Sequence, residues 1–217
     1  MKWNTGVFTR LFFLAAMLLG GVSAYSATPA EDSAVLSARK AVEYFCQIEF
    51  EGDQGIRRSK VARYSKKETA RREKERTPTP VDTLDFEYDA LFVVASYRVL
   101  DVTVKGKQAS VSVVYSRLAT RTKGKGSQLH FAPDGNDNDL VTLTLVYDKN
   151  QWWVLDPPPP RVSKQPLIEY YEYQVKEYSP MWEQKLNDPS YSEKQKANVR
   201  ANRDQATGTL KLLNSLE

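Results

Sequence analysis

Apolar and polar residues alternate along the middle of the chain, which predicts an antiparallel β-sheet with one face exposed to water. The alternating segments are residues 96–104, 108–120, 139–147 and 151–155. Gly106 and residues 148–150 supply turns between neighbouring strands. A long loop rich in Gly, Asp and Asn is expected at 121–138. Prolines 157–160 cannot donate hydrogen bonds to a neighbouring strand, so they are expected to end the sheet as an extended arm.

A helical pattern precedes this sheet. Thr28 and Pro29 form a helix start, with Glu31 placed to complete a capping box. One stripe of the helix is apolar, formed by Val35, Ala38, Val42, Phe45 and Cys46. Gly52 is expected to end the helix. A helix of about 22 residues is long enough to lie across a sheet.

Helical spacing returns after the prolines. Apolar residues from Leu167 to Tyr178 predict one helix, which Pro180 is expected to break. Residues 190–193 carry a second capping-box pattern before a last helix. The apolar stripe of that helix is sparse, which predicts a helix that is weakly docked or binds a partner.

The first 24 residues have the layout of a cleavable export signal. Lys2 and Arg10 are basic, residues 11–19 are apolar, and Ala24 follows small residues suited to signal peptidase. The expected location is the periplasm or the outside of the cell, or the membrane if the segment stays uncleaved. Loss of Lys2 and Arg10 with the signal would lower the formal net charge from +4 to +2.

The positive charge is concentrated between the first helix and the sheet. Residues 57–76 hold ten basic and three acidic side chains. Short helices are expected in this basic connector, and an acidic, aromatic loop at 82–94 follows it into the first strand. The connector is either a solvated basic surface or a docking site for an anionic lipid or another polyanion. The candidate binding residues are Arg57, Arg58, Lys60, Arg63, Lys66, Lys67, Arg71 and Arg72.

Several chemistries have little support in the sequence. His130 is the only histidine, so a His-based zinc site or a Ser-His-Asp site has no further His to use. The acidic run 134–139 lacks the spacing of an EF-hand and is expected to be a turn. Cys46 has no partner for an intramolecular disulfide, which leaves a buried thiol or an intermolecular bridge. We therefore expect no metal site and no cofactor.

The last strand carries two adjacent aromatic residues. Trp152 and Trp153 must point to opposite faces of the sheet. We expect one in the core and the other under the tail helix or a second subunit.

The order of these elements resembles the NTF2-like (cystatin-like) family. The residues that carry the resemblance are the long first helix, strand residues 111–115 and the closing strand 152–156. The resemblance covers residues 25–160 and implies an α+β fold with a curved sheet wrapped around the helix. Residues 161–217 would be a C-terminal helical extension outside the usual pattern.

The resemblance also implies a conical pocket, which some members use for isomerase or dehydratase chemistry. Asp101 would be the general base and Tyr44 a second polar group if both faced the pocket. An Asp101 that faces solvent would be an ordinary strand acid.

Three functional hypotheses follow. The first is an exported, non-enzymatic binding protein of the cell envelope with an unknown ligand. The second is a pocket enzyme that uses Asp101, and the third is a structural subunit of an envelope assembly. Partners would be an unknown protein, a second copy bound through the sheet and tail helices, or an anionic surface. Export makes nucleic acid an unsuitable partner.

Overall fold

The computed structural model describes residues 29–53, 56–75, 90–123, 129–134 and 137–217. The export signal predicted at 1–24 and most of the acidic loop predicted at 82–94 lie outside the described residues. The strand that follows this loop begins at Ala90.

The first helix, α1 (Pro29–Phe50), has the predicted bounds. Gly52 ends it with φ of +78°. Its N–H donates to the carbonyl of Glu49, and the N–H of Asp53 donates to the carbonyl of Ile48. These bonds satisfy carbonyl groups that a helix end would otherwise leave open.

The basic connector forms α2 (Ile56–Ser59), β1 (Ala62–Arg63) and α3 (Lys66–Glu75). The two short helices agree with the prediction. The two-residue strand β1 was not predicted; it pairs in parallel with the last strand of the meander, with Ala62 opposite Val154. The connector is therefore attached to the edge of the sheet.

The main sheet contains six further strands. They are β2 (Ala90–Lys105), β3 (Gln108–Lys123), β4 (Leu129–Pro133), β5 (Asn138–Asp148), β6 (Gln151–Leu155) and β7 (Arg161–Ser163). The strand order is β1-β6-β5-β3-β2-β7, and β4 pairs with β3. Pairing is antiparallel except for β1 with β6 and β2 with β7.

The prediction of a long loop at 121–138 was wrong in part. β3 continues to Lys123, and β4 returns along it with Phe131 opposite Arg121. β4 has only five residues and ends at Pro133, so its alternation is too short to stand out in the sequence.

Two hydrophobic cores lie against the curled sheet. The first joins α1 to β3, β5 and β6 through Val42, Phe45, Val113, Leu145 and Val154. This layer of one helix on a curved, mostly antiparallel sheet is the α+β arrangement that the sequence predicts.

The second core joins the sheet to the tail helices α4 (Lys164–Asn187) and α5 (Glu193–Ser215). Its buried members include Leu91 and Val93 of β2, Leu167 and Trp182 of α4, and Leu213 of α5. The C-terminal half of α5 therefore packs in this core, and its buried residues Ala206, Thr209 and Leu213 are as few as the sparse stripe predicts. β7 also starts the tail, so the boundary predicted at residue 160 divides one continuous sheet.

Two details of the tail differ from the prediction. Pro180 lies inside α4, which continues to Asn187. Burial of Trp182 beyond the proline favours continuation of the helix over a break. The capping box of α5 is formed by Ser192 and Gln195, two residues later than predicted.

In the described part of the chain, none of the helices combines the length and apolar character needed to cross a membrane.

Gly52 offers a test of this packing. A Cβ added there would lie 2.8 Å from Cβ of Pro166, and the φ of +78° disfavours any L side chain. We expect Gly52→Ala to lower the free energy of unfolding by about 1–3 kcal/mol, measured by urea denaturation. Gly208→Ala is the control, because its Cβ would meet nothing within 4 Å on α5. It should stabilise the protein by roughly 0.5–1 kcal/mol. Equal effects of the two changes would contradict the packing of α1 against the tail.

Candidate functional site

The two residues considered for catalysis both lie on the surface. Asp101 is exposed, in a bulge of β2 where the register with β3 shifts between Val99 and Val102. Tyr44 is 45% exposed on α1. The predicted role of general base requires Asp101 to face an apolar pocket, and its side chain is exposed to solvent instead. The Asp101 hypothesis therefore loses its physical basis.

The interior between α1 and the sheet instead holds a buried ion pair. Glu49 of α1 is 1% exposed and Arg58 of α2 is 4% exposed. Nε of Arg58 donates to Oε1 of Glu49 at 3.0 Å. The same guanidinium donates to the Tyr64 hydroxyl at 3.1 Å and to the Pro158 carbonyl at 3.5 Å. Arg58 is thus an interior residue, and its predicted role in surface binding was wrong.

Burial controls the protonation of Glu49. Desolvation raises the pKa of its carboxyl group from 4.5 to about 7, while the positive charges of Arg58 and Arg161 act in the opposite direction. Oε2 has no hydrogen-bond partner among the described residues. The carboxyl group consequently changes charge near neutral pH inside the protein.

A second buried arginine follows the proline segment. Arg161 donates to Oδ2 of Asp139 from Nη2 at 2.7 Å and from Nε at 3.1 Å. Nη1 donates to the carbonyl of Pro159 at 2.9 Å. The guanidinium lies 4.9 Å from the ring centroid of Tyr115 and 5.0 Å from that of Phe92. Side chains of the chain itself therefore fill this end of the interior.

Cys46 lies beside this cluster and is completely buried. Its Sγ is 3.2 Å from the hydroxyl of Tyr115. Desolvation raises the pKa of the thiol to about 12 and also raises the pKa of Tyr115. Since the thiolate is the nucleophile, Cys46 is inert at neutral pH. The buried thiol predicted from the sequence is confirmed.

The remaining candidates for ligand binding are small. A cavity of about 190 Å³ lies where β5 and β6 meet the proline segment, lined by Thr142, Leu143, Thr144, Leu155, Asp156 and Pro158. Within the described ranges, no three His, Cys, Asp or Glu side chains are grouped so that they could hold a metal ion.

The acidic run at 134–139 contributes two ion pairs. Asp134 pairs with Arg117 at 2.9 Å, and Asp139 pairs with Arg161. Both acids thus neutralise arginines. His130 is on β4, and its side chain lies outside what the structure describes.

Two further arginines of the basic connector form ion pairs, and three of its lysines are exposed. Arg63 pairs with Asp148 at 2.9 Å, and Arg71 pairs with Glu68 at 2.6 Å. Lys60, Lys66 and Lys67 are exposed, and we call these three the cationic patch. The side chains of Arg57 and Arg72 lie outside the described part.

The two tryptophans occupy opposite faces, as the strand geometry requires. Trp152 is buried, and its Nε1 donates to Oγ of Ser37 at 2.9 Å. Trp153 is half-buried and is covered by the guanidinium of Arg63 at 5.3 Å from the ring centroid. The expected cover by the tail helix was therefore wrong.

Comparisons with known proteins give structural similarity only. No described protein family and no curated protein matches the sequence. Among solved structures, a "Putative NTF2-like transpeptidase" from Campylobacter jejuni aligns at 14% identity and a TM-score of 0.28, over 60% of this chain and 100% of that chain. The association domain of CaMKII from C. elegans aligns at 8% identity and a TM-score of 0.30, over 59% of this chain and 96% of that chain. Neither similarity bears on the function of this chain.

The buried ion pair of Glu49 and Arg58 was not predicted from the sequence. One signal was present, because Glu49 falls three residues after Cys46 on the apolar stripe of α1. A carboxylate in that position needs a buried cation. Which of the many basic residues supplies it depends on the path of the chain after Gly52.

The pKa of Glu49 gives a testable pH dependence. Between pH 4.5 and about pH 7 the native carboxyl group holds a proton that the unfolded chain has released. Its contribution to stability is therefore complete below pH 4.5 and is lost as the pH rises through 7, at no more than about 1.4 kcal/mol per pH unit.

Urea denaturation of wild type and Glu49→Gln at intervals from pH 4.5 to pH 8 measures this contribution. The difference between the two proteins should change with pH across this window. Glu43→Gln, an exposed position of the same helix, should follow the wild type. A constant difference between wild type and Glu49→Gln would show that Glu49 does not titrate there.

Proposed function

We propose that this chain is an exported, non-enzymatic binding protein that docks to an anionic surface of the cell envelope through its connector. The single observation that carries the proposal is the exposed cationic patch of Lys60, Lys66 and Lys67. The burial of Arg58 and Arg161 supports it, because two arginines that pair with acids lie in the interior, where a pocket enzyme would hold its substrate.

The connector helix is suited to an electrostatic surface. α3 has the sequence KKETARREKE, in which Ala70 is the only apolar residue, so the helix has no stripe to bury in a core. Its start is fixed to the sheet, since the N–H of Ser65 donates to Oδ1 of Asp156 at 2.6 Å. The N–H of Glu68 in turn donates to Oγ of Ser65 at 3.3 Å. A fixed, polar helix presents lysines to a partner without unfolding.

Charge alone would give moderate and salt-sensitive binding. Each Lys near an anionic membrane contributes about 1 kcal/mol, so three lysines contribute roughly 3 kcal/mol, or about a hundredfold in affinity. The Debye length falls from about 10 Å at 0.1 M salt to about 3 Å at 1 M. Binding should therefore be lost at high salt.

The experiment is co-sedimentation with phospholipid vesicles that contain an anionic lipid. Purified chains that begin at residue 25, the form that export implies, are compared at 0.1 M and 1 M salt. We expect the triple change Lys60→Glu, Lys66→Glu and Lys67→Glu to weaken binding at least a hundredfold at 0.1 M salt.

The matched control reverses three exposed lysines of the tail helices, Lys176, Lys194 and Lys211. It makes the same change in net charge and should bind within a few fold of the wild type. Equal losses in both triple variants would mean that net charge and not the cationic patch determines binding. Binding of wild type that persists at 1 M salt would exclude the electrostatic mechanism.

A further inference from the structure

Among the strands that the structure describes, β2 has an open edge along most of its length. β3 pairs with one side of β2, and β7 pairs with the other side only from Phe92 to Val94. Residues 95–105 have no strand on that second side among the described residues. An open edge of this length offers backbone groups to which another strand can bind.

One arginine of α1 binds backbone carbonyls in the middle of this segment. Nη1 of Arg39 donates to the carbonyl of Val99 at 3.2 Å, and Nη2 donates to the carbonyl of Leu100 at 2.5 Å. The bonds fall where β2 bulges, between the Val99–Val113 and Val102–Val111 pairs. Arg39 of α1 thus binds two carbonyls of the segment with which an added strand would pair.

The charged side chains around the bulge are complementary to the same side chains of a second copy. Arg98 and Asp101 are exposed on either side of Val99 and Leu100, and neither forms an ion pair with another described residue. In an antiparallel pair of two β2 edges centred between Val99 and Leu100, Arg98 of each copy faces Asp101 of the other. Opposite charges placed directly across two strands favour pairing.

The same register also matches the faces of the strand. Ser96 would lie opposite Thr103, and both are exposed. Tyr97 would lie opposite Val102, and both pack against the first core. A shift of the register by one residue would place exposed residues opposite core residues.

We propose that the 95–105 edge of β2 is a pairing surface for the same edge of a second copy, and that Arg39 keeps this edge closed in the single chain. The partner is identified by charge and register, with Arg98 opposite Asp101 twice in the pair. This interface is independent of the cationic patch.

The test is sedimentation equilibrium of purified protein over a range of concentrations. Arg39→Gln removes the charge that spans the two carbonyls and should tighten dimerisation at least tenfold relative to the wild type. Lys40→Gln, an exposed neighbour on α1, is the control and should leave the association unchanged.

Charge reversal then tests the register. Adding Arg98→Asp to Arg39→Gln should weaken the dimer, since like charges then face each other. Adding Asp101→Arg as well should restore it. The proposal would be overturned if Arg39→Gln left the dissociation constant of the dimer at the wild-type value. It would also be overturned if the charge reversals left that constant unchanged.

Hydrogen exchange of the wild type provides a measurement that does not depend on a variant that folds. Amides of 95–105 that point away from β3 should exchange faster than those bonded to β3. Uniform protection along this segment at low protein concentration would show that the edge is already covered, and would overturn the proposal.

Discussion

The need to neutralise Glu49 organises one end of this protein. A carboxylate on the apolar stripe of α1 lies in the first core, where an unpaired charge would be very costly. Arg58 reaches it only because the connector turns back after Gly52 and adds β1 to β6. The guanidinium also binds the proline segment through Pro158, so one buried pair holds the first helix, the connector and the crossover to β7 together.

The interior beside this pair holds further buried polar groups. The same end of the interior receives Arg161, which stacks on Tyr115 and binds Asp139. Buried thiol, phenol and carboxyl groups are present, but desolvation raises the pKa of each of them. Arg58 and Arg161 pair with acids in this interior, whereas the exposed lysines of the connector and the open edge of β2 are the surfaces proposed above to bind partners.

Local sequence patterns predicted the fold well for those helices and strands whose structure follows from their own residues. The stripe and Gly52 define α1, and strict alternation defines β3, β5 and β6. The errors concern contacts between distant segments. Pro180 breaks an isolated helix but not one held by buried Trp182, and Arg58 looks like its basic neighbours until Glu49 is placed beside it. Charge composition could not separate Arg58 from Lys60, because only tertiary contacts distinguish them.

Arg58 and Glu49 act as one buried pair at this end of the interior. A double-mutant cycle of Arg58→Met and Glu49→Gln, measured by urea denaturation at pH 8 and pH 5, tests it most directly. We expect a coupling energy of about 1–3 kcal/mol at pH 8 that shrinks at pH 5, where the carboxyl group is protonated. Effects that add to within about 0.5 kcal/mol at both pH values would contradict the claim.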